Sequence, residues 1–287
     1  DSGLFAIADT SQRYPEGVIE MQLSGDAGSL SEIADAEPFK ALSKQDVAPS
    51  DVTGVATASV SVRTPLREDV TEADVDWRVS IDGVGLACAA PLVGYMVTEA
   101  NVNILVTPVE ITVRGKARID GVAADVDMNH PIADGYLAGD TGQQMVRLVL
   151  DDAARKRLGI GLDEVLAGSV ATYVSNIENG SGQHYDLDLK RARLVLPGLG
   201  WSKGIGVPAS LSFDLIPIDG GYAVKNLVLE GADFGFSGSA TLDADYGVAA
   251  ADIERFYLRA SDSLSFKLRR NKNGYAISAS GKSFDFR

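Results

Sequence analysis

Disulfide frameworks, zinc fingers and paired redox thiols are excluded at once, because the 287-residue chain carries one cysteine. That residue, Cys88, lies in the apolar run GVGLACAAPLVG, where a small buried hydrophobe is expected. Scarcity of cysteine fits either a reducing compartment or an oxidising one in which stray pairing is avoided. Histidine is almost as rare. His130 in MNHPI and His184 in GSGQHY are the two copies, both expected as exposed residues at loop edges without a catalytic or metal role. No H-E-x-x-H, G-x-S-x-G or Cys-His pair is present, so the common hydrolase and metalloprotease constellations are missing. Basic charge is also in deficit: 26 Lys and Arg face 40 Asp and Glu, a net charge of −14. Such a surface repels phosphate backbones, and no nucleic acid is expected as a partner. Long hydrophobic runs are lacking too. The nearest, Val84 to Val97, contains Pro91 and two glycines and is too short to span a bilayer.

What is abundant is period-two alternation, the mark of half-buried strands. Trp77, Val79 and Ile81 alternate with Asp76, Arg78 and Ser80. The pattern returns at Val102, Ile104 and Val106, and again at Val109, Ile111 and Val113. Tyr185, Leu187 and Leu189 follow, then Leu211, Phe213 and Leu215, Phe234 with Phe236, Leu264 through Leu268, and Tyr275 through Ala279. Asp120-Gly121, Asn179-Gly180, Asp219-Gly220-Gly221 and Asn273-Gly274 punctuate these runs as turns. A mainly β fold follows, an antiparallel meander with a few short helices. One helix is expected to open at Ser29 as N-cap with Glu32 completing a capping box, and to kink at Pro38. A second runs from about Asp151 to Leu158 and stops at Gly159, with LDEVLAG adding a turn.

The order of elements repeats. MQLSG, a helix and GVATASVSVR from Gly54 match MVRLVLD, a helix and GSVATYVSNI from Gly168. GYMVTEANVNIL from Gly94 matches GYAVKNLVL from Gly221, and Gly115, Ala117 and Asp120 fall opposite Gly238, Ala240 and Asp243. The second copy holds an extra hairpin around Pro197 to Pro208. This divides the chain into the end of a preceding repeat (1–14), a first repeat (15–137), a second (138–252) and the start of a third (253–287). Self-similarity of this kind predicts an elongated architecture in which each unit leans on its neighbour. With no initiator Met at Asp1, the chain is expected to be a piece of a longer parent.

Acidic residues fall mostly on the polar sides of strands. Asp120, Asp125 and Asp127, or Asp243 and Asp245, lack the ligand run of an EF-hand loop and are expected to be solvated, with no metal and no cofactor bound. GLGWSKGIG and SGKS at Ser280 to Ser283 miss the spacing and context of nucleotide-binding loops and are expected as turns. The distinctive feature is the apolar side of the strands. Alternation assigns to it Val60, Val62, Val79, Ile81, Ile104, Val106, Ile111 and Val113 in the first half. In the second half it assigns Leu148, Leu150, Leu187, Leu189, Phe213, Leu215, Leu227, Leu229, Phe234, Phe236, Leu264, Phe266 and Leu268. Few helices exist to cover so much surface, which exceeds what a soluble monomer usually exposes. It can be hidden by sheet-on-sheet packing, by closure into a barrel, or by a curled sheet whose trough holds apolar guests. Alternation alone does not choose among these.

The stretches PEGVIEMQLSGDAGSLSEIADAEPFKAL, DVTGVATASVSVRTPL, VEITVRGKARIDG, LVLPGLGWSKGIGVPASLSFDL and LEGADFGFSGSATLDADYG span nearly the whole chain. In their order and repeat grammar they resemble the AsmA-like superfamily of bacterial envelope proteins, in particular the YhdP type related to TamB. That resemblance implies a repeating β-sheet curled into an open groove with an apolar interior. It also implies a parent anchored in the inner membrane, crossing the periplasm and moving phospholipid toward the outer membrane. On this reading the listed side chains line the groove, the partner is a phospholipid or other acyl lipid, and both membranes are met by parts of the parent outside this sequence. No enzymatic motif comes with the resemblance. Two rivals remain: a structural or interaction β-repeat with a dry core, and a hydrolase of envelope glycans using paired carboxylates.

Overall fold

A computed structural model describes residues 1–287 except 9, 12, 36–46, 72, 73, 92–94, 134, 135, 138–142, 161, 178–181, 197, 198, 260, 273 and 284–287. The chain is mainly β, with two α-helices among the described residues. It divides into two units, Asp1–Gln144 and Met145–Arg287.

In the first unit β1 (Ser2–Ala8), β2 (Glu16–Asp26), β3 (Val52–Pro65), β4 (Asp76–Cys88), β5 (Val97–Val106), β6 (Glu110–Ile119), β7 (Val122–Ala133) and β8 (Tyr136–Leu137) follow one another. Each pairs antiparallel with the next. The turn between β6 and β7 falls at Asp120-Gly121, where both residues have positive φ, 48° and 74°. Those angles match a type I′ turn, whose twist suits the flanking strands. Between β2 and β3 lies α1 (Ala27–Asp35). It starts two residues earlier than its sequence suggests, because Asp26, not Ser29, supplies the cap: the Ser29 amide donates to Asp26 Oδ2 at 3.0 Å. Pro38, the expected kink, lies outside the described residues.

The second unit places β9 (Gln143–Leu150), β11 (Val170–Asn176), β12 (Gln183–Asp188), β15 (Ala209–Ile218), β16 (Gly221–Gly231), β17 (Gly235–Asp243), β18 (Val248–Tyr257), β19 (Ser263–Asn271) and β20 (Gly274–Ser283) in antiparallel order. Three short strands form a separate sheet: β10 (Leu166–Gly168), β13 (Ala192–Leu196) and β14 (Trp201–Lys203). The helix α2 (Asp152–Arg157) is capped as expected, since the Asp151 carboxylate accepts from the Ala154 amide at 2.7 Å. LDEVLAG closes one turn through a Leu166 amide to Leu162 carbonyl bond of 2.8 Å, then enters β10.

The two units share a strand–helix–strand start, β2–α1–β3 and β9–α2–β11, with the flanking strands paired. Both GY-strands bulge at the same place. Glu99 in β5 and Asn226 in β16 stand five residues after Gly94 and Gly221, with φ of 49° and 50°, where the ladders shift register. Two motifs expected as turns are strands. Trp201–Lys203 of GLGWSKGIG forms β14, and SGKS ends β20. The Asn179-Gly180 turn and Asn273 lie outside the described residues. Cys88 is buried and unpaired.

Candidate functional site: the apolar sheet face

Residues directly opposite one another in an antiparallel ladder share a face. In the first unit this sorts the expected side chains into continuous rows. One runs Met21, Val60, Val79, Val106, Ile111 and His130; its neighbour runs Leu23, Ala58, Ile81, Ile104, Val113 and Met128. A third runs Phe5, Ile19, Val62 and Trp77. All eight side chains assigned in this half therefore lie on one face, as alternation requires.

The opposite face is polar and laterally bonded. Ser24 Oγ lies 3.1 Å from Thr57 Oγ1, and Asn103 donates to Asp82 at 2.9 Å. Arg114 meets Asp127 at 3.0 Å and Lys116 meets Asp125 at 3.3 Å. Asp120 accepts from the Met96 amide at 2.9 Å. These carboxylates are thus spent on cations and turns, and no metal-binding group occurs among the described residues.

The second unit repeats the division. Leu148, Thr172, Leu187, Leu211, Leu229, Phe236, Phe256 and Leu264 form one row. Leu215, Val224, Ala240, Ala251, Leu268 and Ile277 form another; Leu227, Gly238, Ile253, Phe266 and Ala279 lie between them. Phe213 pairs with Tyr185 in the same face, their rings stacked at 5.0 Å.

Exposure separates two kinds of apolar residue. Eighteen of the 21 assigned side chains are only partly buried. Leu150, Leu189 and Phe234 are buried outright and offer no surface to a guest, which corrects their assignment. Leu189 and Phe234 belong to a packed cluster with Leu166, Val170, Ala192 and Ala209. Trp201 of the small sheet sets its ring 4.9 Å from that of Phe234. Leu187, Leu211 and Leu229 pack against this cluster, so the small sheet covers their part of the face. Lys203 is buried here, its ammonium donating to the carbonyls of Leu189 and Ala192 at 2.6 and 2.7 Å, and desolvation lowers its pKa.

Elsewhere the face is open. Phe5 is 59 % exposed, Met21 41 % and Ile277 66 %, all on the apolar side. The 30.2 kDa chain presents 17563 Å² to solvent. Two separate compact globules of half that mass would present about 14,000 Å² together. The excess is the signature of sheet faces that self-packing has not consumed. The fully buried large side chains, Leu189 and Val170, both sit in the one cluster under the small sheet.

Both histidines depart from the exposed loop-edge expectation. His130 sits within β7 on the apolar face, its Nε2 enclosed and without a hydrogen-bond partner among the described residues. His184 sits within β12 on the polar face. Its Nδ1 lies 2.6 Å from Asp214, its Nε2 3.3 Å from Asp186, and Asn226 donates to Asp214 at 2.6 Å. The hydrogen bond to Asp214 raises the His184 pKa against partial desolvation. For Asp214 desolvation pushes upward, but the bonds from His184 and Asn226 outweigh it and hold the carboxyl below its ordinary value. Because its two carboxylate partners lie at opposite ring nitrogens, His184 is a cross-strand brace.

Sequence reasoning omitted Phe5, Ile7, Ile19 and Met21 from the face, although SGLFAIA and EGVIEM alternate in the same way. Protein-family models, curated proteins and solved structures were compared with the chain, and none matches.

Proposed function

We propose that this chain is a non-catalytic lipid-carrying segment of a periplasm-spanning envelope protein of the AsmA-like, YhdP type. In this role its apolar sheet faces shield phospholipid acyl chains between inner and outer membrane. The observation that carries the reading is the open apolar face: rows of Val, Ile, Leu and Phe held in register across the strands of each unit and left partly exposed. Releasing an acyl chain into water costs about 0.8 kcal/mol per CH₂, and a continuous aliphatic lining removes most of that cost without a tight stop at any one position. The polar reverse face, with its lateral ion pairs, keeps the strands wetted on the other side. No described helix is long and apolar enough to cross a membrane, so on this reading membrane contact belongs to other parts of the parent.

A structural or interaction role with a dry core is the second reading. The packed cluster around Leu189, Phe234 and Trp201 favours it locally. Native mass spectrometry of gently purified protein separates the two. The lipid reading expects reproducible phospholipid adducts released by mild activation. A chain that is lipid-free from several membrane-containing preparations would reject it.

A further inference from the structure

The strands that end the ladders of the two units differ in charge. β1 has one partner strand, β2, and β20 has one, β19, among the described residues. Each therefore presents an unpaired row of backbone N–H and C=O groups. Natural sheets usually blunt such edges with proline, bulges or charge, or cover them. β1, SGLFAIA, has no proline and no charge, its register with β2 is unbroken, and its described side chains are all exposed. The segment 263–283 holds five cations, Lys267, Arg269, Arg270, Lys272 and Lys282, and no carboxylate. The β1–β2 segment 2–26 holds Asp9, Glu16, Glu20 and Asp26 against Arg13. One edge is acidic and the other basic, in a chain whose net charge would otherwise keep copies apart.

We propose that copies of this chain associate head to tail, the free edge of β20 on one copy adding to the free edge of β1 on the next. Edge addition supplies main-chain hydrogen bonds, and charge complementarity chooses the partner edge. The faces agree as well. Phe5 and Ile277, both exposed, lie on the apolar side of their strands, whereas Glu16, Glu20, Lys267, Arg269 and Lys282 lie on the polar side. With apolar sides aligned, acidic and basic strips therefore fall on the same surface. Strand spacing of about 4.8 Å brings β2 of one copy and β19 of the other within about 15 Å, where attraction is felt at low salt and screened at high salt. Because the two edges differ, the contact is heterologous and does not close on itself at two copies. The inference is independent of lipid carriage.

Sedimentation velocity of the full chain over a wide concentration range tests it, with charges placed at exposed polar-side positions of the two edges. The wild type is expected to form dimers and longer species at low salt. Ala6→Lys, which sets a cation against the basic edge, and Ser278→Glu, which sets an anion against the acidic edge, are each expected to raise the dissociation constant at least about tenfold. The double variant A6K/S278E swaps the two charges and regains association, which also shows that both positions tolerate the change. A wild type that stays monomeric throughout overturns the proposal. So does a Ser278→Glu protein that still dimerises while Ala6→Lys does not, the mark of β1 pairing with β1. A double variant no better than the singles overturns it equally.

Discussion

Gly54 and Gly168 hold the same place in the two units, each following the helix at the start of the returning strand, with φ of 111° and 92°. A Cβ on either would lie 2.7 Å from a carbonyl oxygen, that of Gly85 or of Arg191. Both the backbone angle and the close approach demand glycine. Gly54→Ala and Gly168→Ala are each expected to lower stability by about 1–3 kcal/mol in urea unfolding. Gly159, with φ of 72° and open space around its Cα, is the comparison: Gly159→Ala is expected to cost about 1 kcal/mol from the angle alone.

Packed and open parts of the apolar side respond differently to truncation. Leu189, 2 % exposed and enclosed by the cluster under the small sheet, loses about 2–5 kcal/mol on replacement by Ala. Val60, half-buried in an open row, loses only roughly 1 kcal/mol because less surface leaves water. Equal losses at both sites in chemical unfolding would mean that Val60 is packed as tightly as Leu189.

A carboxylate placed on the apolar face separates lipid occupancy from folding. Ile111→Asp and Phe236→Asp are expected to reduce co-purified lipid while the chain is still secreted. Ser59→Asp, on the polar face opposite the same rows, is expected to leave lipid unchanged. Lipid quantified per chain by mass spectrometry gives the answer. An unchanged yield in both apolar-face variants would remove those side chains from the path.

The His184–Asp214 brace carries a pH signature. The His184 pKa is raised in the folded chain, so its contribution is present below the unfolded value of 6.5 and is lost as pH rises through the folded value. The Asp214 pKa is lowered, so its share is present above 3.8 and is lost as pH falls through the folded value. The pair therefore stabilises most between those two ordinary values. Solvent limits it to less than about 1 kcal/mol, since His184 is partly exposed. The stability difference between wild type and His184→Asn should narrow on either side of this window, with the imidazole titration followed by NMR.

How much of this was legible in the sequence follows from the range of each interaction. A period of two fixes the face of every residue in a regular strand, so Val79, Ile81, Ile104 and Val106 were assigned correctly from their neighbours alone. Helix position was readable at Asp151, where the cap stands beside the helix it serves, and misread at Ser29, because Asp26 just upstream does the same chemistry. Burial of Leu189 and Phe234 was invisible. It comes from β10, β13 and β14, strands of three to five residues too short to show a period. The brace between His184 and Asp214 spans 30 positions and depends on register, which one strand's pattern does not encode.

Trp77 offers the most direct measurement of the central claim. It stands on the apolar face opposite Val62, in the row with Ile19 and Phe5, whereas the second tryptophan, Trp201, is committed to the ring contact with Phe234. In a Trp201→Phe protein, Trp77 is the sole tryptophan, and phospholipid with brominated acyl chains quenches it only on contact. Strong quenching of Trp77 by brominated lipid, relieved by unlabelled lipid and much weaker for Trp201 in the Trp77→Phe protein, is the predicted result. Trp77 fluorescence that is indifferent to brominated lipid at every ratio, in a folded protein, would contradict the account.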